Sequence, residues 1–292
     1  MTYHEPVLKE EVIAYSQIRE GKKYIDCTLG DGGHTIEFLK RGALVLGLDI
    51  NIESLDRATK RVKKEGLSSN FTPILGNFKK IEQLATHCEF SQVDGILYDL
   101  GYSSYQMDES ELGMSFQKDK PLDMRLDDTL GVTAADLVNA LPEKQLAELI
   151  FKYSQENLAR KFAKAIVNAR NLKKIETTKQ LADLIASQSF LGYEKGRIHP
   201  ATRTFQALRI VVNDELENLA QSLPQAPRLL LPGGFLIVIS FHSMEDKLVK
   251  QFSQSAGPKM KAVNKKPIVP SREEVAKNIR SRSAKMRVLE KL

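Results

Sequence analysis

The sequence predicts an α/β protein, a doubly wound parallel sheet carrying an inserted all-helical domain. Three observations predict it. Four short, nearly continuous apolar runs alternate with helical patterns over the first hundred residues; this rhythm stops between about 108 and 195; and it resumes after 199.

The four runs are YIDCT at 24–28, ALVLGLD at 43–49, FTPIL at 71–75 and VDGILYD at 93–99. Both alternating faces of each are largely apolar, as in a parallel strand covered by helices on both sides. Helices are expected near 34–41, 53–65 and 79–86. Further on, Thr133-Ala-Ala-Asp136 has the spacing of a capping box. Leu158, Phe162, Ala165 and Ile166 form one apolar helical stripe, with Arg160, Lys161 and Lys164 roughly opposite. A helix over about 200–221 and a strand GGFLIVIS ending at Ser240 restore the α/β pattern. The expected organisation is a sheet domain at 1–107, a helical substrate-binding insert at 108–198, the second part of the sheet domain at 199–256, and a basic tail at 257–292. Pro258, Pro267 and Pro270 suggest that the tail is irregular until about 271.

With 42% hydrophobic and 27% charged residues, the composition is that of a globular chain and excludes wholesale disorder. No apolar run approaches the ~20 residues that span a bilayer, since 229–239 is broken by Pro232, Gly233 and Gly234. The start, MTYHEPVLKEEVI, lacks the pattern of a signal peptide, and Cys27 and Cys88 alone offer no disulfide framework, so a cytoplasmic protein without a cysteine metal site is expected. The net charge of +6 is unevenly placed: 257–292 hold eleven Lys/Arg against three Asp/Glu, leaving the first 256 residues slightly acidic. A second cluster at 160–174 has six Lys/Arg and no acid. Such clusters suit a polyanion such as RNA, or are solvated faces.

Ligands of doubly wound sheets lie at the carboxyl ends of the strands. The first strand enters Asp26-Cys-Thr-Leu-Gly30-Asp-Gly32-Gly33-His34, a glycine loop that lets the backbone approach a ligand. The second strand ends in Asp49, 19 residues after Gly30, where a carboxylate can accept from both hydroxyls of a ribose. The two together mark either a nucleoside site or a tight turn with a capping Asp. Thr35, where a dinucleotide loop needs Gly or Ala, disfavours NAD or FAD and favours S-adenosylmethionine, which has no pyrophosphate. A P-loop is excluded, because Lys-Ser/Thr does not follow the glycines. Asn77 and Phe78, after the third strand, suit an adenine or the core. The fourth strand delivers Asp99-Leu-Gly101-Tyr-Ser103-Ser104-Tyr-Gln106, an acid leading a Gly/Ser turn; it is either a turn with a capping Asp or an arrangement that resembles the place where amino-group methyltransferases present acceptors to the target nitrogen.

At this point the chain resembles, almost end to end, the bacterial 16S ribosomal RNA (cytosine-N4) methyltransferases of the MraW/RsmH type. The resemblance is carried by seven ordered segments: His4-Glu-Pro-Val-Leu8, Asp26-Cys-Thr-Leu-Gly-Asp-Gly-Gly-His34, Tyr98-Asp-Leu-Gly-Tyr-Ser-Ser104, Pro121-Leu-Asp-Met-Arg125, His199-Pro-Ala-Thr-Arg-Thr-Phe-Gln-Ala-Leu-Arg209 with Asn213-Asp-Glu-Leu216, Ile239-Ser-Phe-His-Ser-Met-Glu-Asp246, and Arg282-Ser-Ala-Lys-Met-Arg287. It implies a Rossmann-like class I S-adenosylmethionine methyltransferase sheet, with cofactor contacts at Gly32, Gly33, His34, Asp49, Phe78, Asp99 and Gln106. The sequence departs from the family pattern where Ile50 and Asn51 replace Arg-Asp, where Tyr105 replaces a proline, where Leu112 replaces an arginine, and before Glu156, which lacks a preceding Gly.

The implied function is S-adenosyl-L-methionine-dependent N4-methylation of a cytidine in the P-site decoding centre of 16S rRNA, acting on the RNA or the small ribosomal subunit, with no membrane or DNA partner. Asp99, Ser103, Ser104, Ser240 and His242 are the candidates for acceptance of the amine and for holding a flipped base. Arg160, Lys161, Lys164, Arg203, Gln206 and Arg209 are the candidates for RNA contact. Within this set, His199–Arg209 also reads as a Pro-initiated helix, and Ser243-Met-Glu-Asp246 as a capping box. The rival from another class is a non-catalytic RNA-binding assembly factor with a vestigial nucleoside pocket. A nicotinamide oxidoreductase is disfavoured by Thr35 and the basic tail.

Overall fold

Strand and helix alternate as the sequence pattern requires, and the computed structural model describes residues 5–108, 111–190, 192–196 and 198–292, without the side chains of Ser104, Asp108 and Pro258. Helix α1 (Lys9–Ser16) precedes β1 (Lys23–Asp26), α2 (Gly33–Leu39), β2 (Leu44–Asp49), α3 (Ile52–Lys64), β3 (Phe71–Leu75), α4 (Ile81–His87) and β4 (Val93–Asp99). Then come α5 (Ser104–Asp108), α6 (Ala134–Ala140), α7 (Glu143–Ser154), α8 (Ala159–Arg170), α9 (Thr178–Gln188), α10 (Ala201–Val212), α11 (Glu215–Ser222) and α12 (Ala226–Leu229). The chain closes with β5 (Leu230–Ser240), α13 (Ser243–Ser255), β6 (Met260–Ala262), α14 (Arg272–Lys277) and β7 (Lys285–Lys291).

The contacts divide the chain into two compact units, Met1–Ser103 with Leu216–Leu292, and Ser104–Glu215. The first holds a seven-stranded sheet in the order β3-β2-β1-β4-β5-β7-β6, parallel from β3 through β5 and antiparallel at β7 and β6. Successive residues of each central strand feed opposite cores: Tyr24, Val45, Leu97 and Ile237 one, Ile25, Leu46, Ile96 and Leu236 the other. That is why these strands are apolar without alternation. The tail, expected to be irregular until about 271, forms the short strand β6 within that stretch and, beyond it, α14 and β7, whose Met286, Val288 and Leu289 bury against β5. It is tied to the chain start where Glu274 accepts from Leu8 N–H at 2.8 Å.

The second unit is helical. Its core gathers Leu146, Ile150, Phe162, Ile166, Leu181 and Ile185. Thr133 and Asp136 form the expected capping box. On α8 it is Ala163, with Phe162 and Ile166, that is buried, while Ala165 is only half-buried. The return to the sheet expected at 199 comes later, after Glu215, because Ala201, Phe205, Leu208 and Val212 of α10 pack into the helical core. The single helix expected over 200–221 breaks at Asn213 and Asp214, the latter at φ 50°. Asn213 is held away from helix continuation by its side chain, which accepts from Leu126 N–H (2.8 Å) and donates to the Met124 carbonyl (2.7 Å).

Candidate active site

In the sheet unit the strand order reverses between β1 and β4, the place where doubly wound sheets bind ligands. Three carboxylates end the strands there. Asp26 pairs in register with Gly47 of β2 and Leu97 of β4, so Asp49 and Asp99 each lie two residues beyond it, on either side.

The β1 loop between them is built by its own backbone. Gly30 N–H donates to Asp49 Oδ2 (2.8 Å) and Gly32 N–H to the Leu29 carbonyl (2.7 Å), so these amides turn inward rather than toward a ligand as expected. Gly32 takes a left-handed φ of 73° at the start of α2, and a Cβ on Gly33 would meet Pro6 at 3.2 Å. Pro6 thereby explains part of the first matching segment, of which residue 4 lies outside the described residues. No side chain caps α2. Arg57 grips Asp31 with both ends of its fork (2.8 and 3.0 Å), and Arg61 donates to the Asp31 carbonyl, clamping the loop to α3. Sequence reasoning missed this clamp; its signal was two arginines four apart on one helix face.

Asp49 is buried, and its second oxygen accepts from Asn51 N–H at 2.8 Å. Burial pushes its carboxyl up to about 7, against the pull of those two N–H donors. Asp26, also missed, is 2% exposed, accepts from Thr35 Oγ1 (2.8 Å) and Thr28 N–H (3.2 Å), and is raised by burial while His34 pulls it down. Thr35 is thus a buried partner of Asp26.

His34 and Asp99 face each other, Nε2 to Oδ2, at 3.6 Å, with side-chain exposures of 5% and 23%. Neither ring nitrogen of His34, nor Asp99 Oδ1, has a hydrogen-bond partner among the described residues. Three buried polar atoms left unmet in one place call for a polar ligand. The Asp99 backbone is fixed, its N–H donating to Thr28 Oγ1 at 2.6 Å. Phe78 is half-buried, edge-on to Tyr98 with ring centroids 5.6 Å apart. Ser103 is half-buried and lies beside the β1 loop, where its Cβ would be 3.7 Å from a Cβ on Gly30. The sheet unit therefore brings together Gly32, Gly33, His34, Asp49, Asp99 and Ser103; the side chain of Ser104 lies outside the described residues.

Two candidates at the end of β5 have other work. Ser240 is 2% exposed and its hydroxyl donates to the Lys285 carbonyl on the neighbouring strand at 3.2 Å. His242, not Ser243, is the N-cap of α13: its Nδ1 accepts from Glu245 N–H (3.4 Å), and Glu245 accepts back from His242 N–H (3.2 Å), which shifts the expected capping box by one residue.

In the helical unit, Gln106 of α5 is buried. Arg160, Lys161 and Lys164 are exposed along α8, as the stripe implied. Arg203 and Gln206 are half-buried, and Arg203 pairs with Glu194 at 2.7 Å. Arg209 departs from the expected RNA-facing surface: it is 7% exposed and its fork is engaged by Glu215 at 2.6 and 2.7 Å. Apolar residues around it on α10 pull that face into the core. Glu156 is fully buried, accepting from Leu158 N–H and from Tyr193 OH. No helix among the described residues is long and apolar enough to cross a membrane.

The MraW methylase family matches residues 1–292. The ribosomal RNA small subunit methyltransferase H of Deinococcus deserti is 46% identical, over 99% of this chain and 93% of its own. That of Carboxydothermus hydrogenoformans is 42% identical, over 99% and 98%. A solved structure from Clostridium thermocellum, provisionally described as an rRNA methylase, superposes at a TM-score of 0.51 with 14% identity, covering both chains fully. At that identity the likeness concerns the fold alone, a Rossmann-like sheet flanked by helices. By its sequence, from end to end, the chain belongs to the MraW methylase family.

Proposed function

We propose that the protein methylates the N4 amine of a cytidine in the P-site decoding centre of 16S rRNA, on the RNA or the small ribosomal subunit. The family is one of S-adenosylmethionine-dependent methyltransferases, and its relatives are named for the RNA of the small subunit. The observation that carries the reading is the group of unmet polar atoms on His34 and Asp99 at the strand-order reversal. It fits a charged nucleoside cofactor on one side and an amine on the other.

When bound, S-adenosylmethionine supplies a methyl group already activated by its sulfonium. Asp49 accepts from the ribose hydroxyls, His34 meets a polar group of the cofactor, and Phe78 lends its ring to the adenine. The acceptor nitrogen is a poor nucleophile, its lone pair delocalised into the cytosine ring. Positioning therefore matters more than a strong base. Asp99 accepts a hydrogen of the amine, turns the nitrogen toward the methyl, and stabilises the positive charge that develops there. Ser103 and Ser104 border the flipped base. Arg160, Lys161 and Lys164, exposed on α8, contact phosphates.

Incubation with radiolabelled S-adenosylmethionine and small subunits, followed by nucleoside mass mapping, tests the reading. Label in N4-methylcytidine at the decoding centre is expected. Label on another nucleoside would overturn the target, and none at all would leave an assembly factor.

A further inference from the structure

The segment His199-Pro-Ala-Thr-Arg203 is not used by the site at the sheet. His199 is exposed, yet its ring is held from two sides. Its Nδ1 accepts from Ala201 N–H at 3.2 Å, just ahead of α10. Its face lies over Phe116, centroids 4.7 Å apart and planes inclined by 35°. Phe116, half-buried, stands in turn edge-on to Phe205 at 4.9 Å and 72°, and Phe205 is 4% exposed in the helical core. Three rings thus run from the core outward and end in an imidazole at the surface. The bond at Nδ1 leaves the proton of the neutral ring on Nε2, so the outermost ring offers a flat face and one donor.

Starting a helix does not require this. Pro200 already sets the backbone, and any apolar side chain would cover Phe116. What the imidazole adds is a preorganised aromatic surface with a polar edge, fixed before anything binds. Its chain neighbours are polar: Gln117 and Lys118, both exposed, follow Phe116, and Thr202 and Arg203 follow in the helix, Arg203 paired with Glu194. A flat ring among polar and cationic side chains suits a nucleobase, which stacks on aromatic faces whatever its identity. The same unit carries the exposed lysines and arginine of α8, which suit the phosphates of such a strand.

We propose that His199, seated on Phe116, is a stacking platform for a base of single-stranded rRNA outside the methylated position. This rests on the reading of the protein as an rRNA methyltransferase.

The test uses the full chain and a short single-stranded RNA of the target sequence carrying 2-aminopurine, whose fluorescence falls when it stacks. His199→Ala should weaken binding about tenfold and lose the quenching, within the range of one base stack. The salt slope should stay that of the unaltered protein, because no phosphate contact is removed. His199→Phe, which keeps a ring but not the Nδ1 acceptor, should restore most of the affinity, and S-adenosylmethionine binding should be unchanged in both. Unaltered RNA affinity in His199→Ala would overturn the platform. Equal losses in His199→Ala and His199→Phe, tracking a lowered melting temperature, would reduce the residue to a helix-starting role. Failure of the unaltered protein to bind the RNA would instead overturn the rRNA reading, and the platform with it.

Discussion

Both units bury charged side chains, but they do so differently. In the helical unit, Arg209 and Glu215 engage each other through two bonds, and Glu156 is met by Tyr193 and a backbone N–H. In the sheet unit, His34 and Asp99 lie 3.6 Å apart with three polar atoms unmet among the described residues. A buried polar group normally finds a partner within the protein. Where the pairing closes internally, the charge serves the fold; where it remains open, it serves a ligand in the function proposed above.

The sharpest way to break this contrast is to remove one member of each set. Asp99→Ala should lower single-turnover methylation about 1000-fold, roughly 4 kcal/mol of barrier, without lowering the melting temperature, since the lost carboxylate has an unmet oxygen in the fold. A parallel fall in stability would show that Asp99 serves the fold too. Arg209→Met should do the reverse, costing about 3 kcal/mol of stability because Glu215 loses its partner. Its RNA affinity and salt slope should match the unaltered protein in filter binding. Adding Glu215→Leu should recover much of the stability; no recovery would mean that the pair is not what Arg209 contributes.

Asp49 stands between the two sets, met by two backbone donors yet still able to accept. Its folded pKa, about 7, lies above the ordinary 3.8. Ionising it in the fold therefore costs stability, in full above about pH 7 and progressively less as pH falls toward 4. Ribose hydroxyls donating to the ionised form shift the balance back, so cofactor affinity should rise about tenfold from about pH 6 to about pH 8. Calorimetric titration at both ends of that range measures it. Asp49→Asn should bind more weakly and lose most of the pH dependence; an equal slope in that variant would move the titration to another group.

The central strands were legible because a parallel sheet imposes a local signal, apolar runs ending in Asp26, Asp49 and Asp99. The site was legible where glycines and acids follow those ends. What escaped depends on packing at long range. Residues 257–271 read as irregular because their prolines dominate the local pattern, whereas β6 is defined by the strand β7 that it pairs with. Arg209 read as an RNA contact because its polar spacing on α10 says nothing of Glu215, six residues on and past a helix break. Asp26 went unread as a site residue because a buried acid is recognisable only by its partner, Thr35.

His242 carries the smallest expected effect and the finest distinction. Its sequence position, at the mouth of the sheet, suggested a role in holding the base. Its Nδ1 accepts from Glu245 N–H at the start of α13, while its buried Nε2, 3.2 Å from Glu245 Oε1, makes no hydrogen bond among the described residues. A lost N-cap costs about 1 kcal/mol, so His242→Ala should lower stability by about that amount. Asn caps as well as any residue but has no imidazole. His242→Asn should therefore restore the melting temperature and leave turnover at saturating RNA within about threefold of the unaltered protein, below 0.7 kcal/mol. If His242→Asn melts normally but turns over tenfold more slowly, the ring touches the base, and His242 joins the open, ligand-facing set with Asp99 rather than the closed one with Arg209.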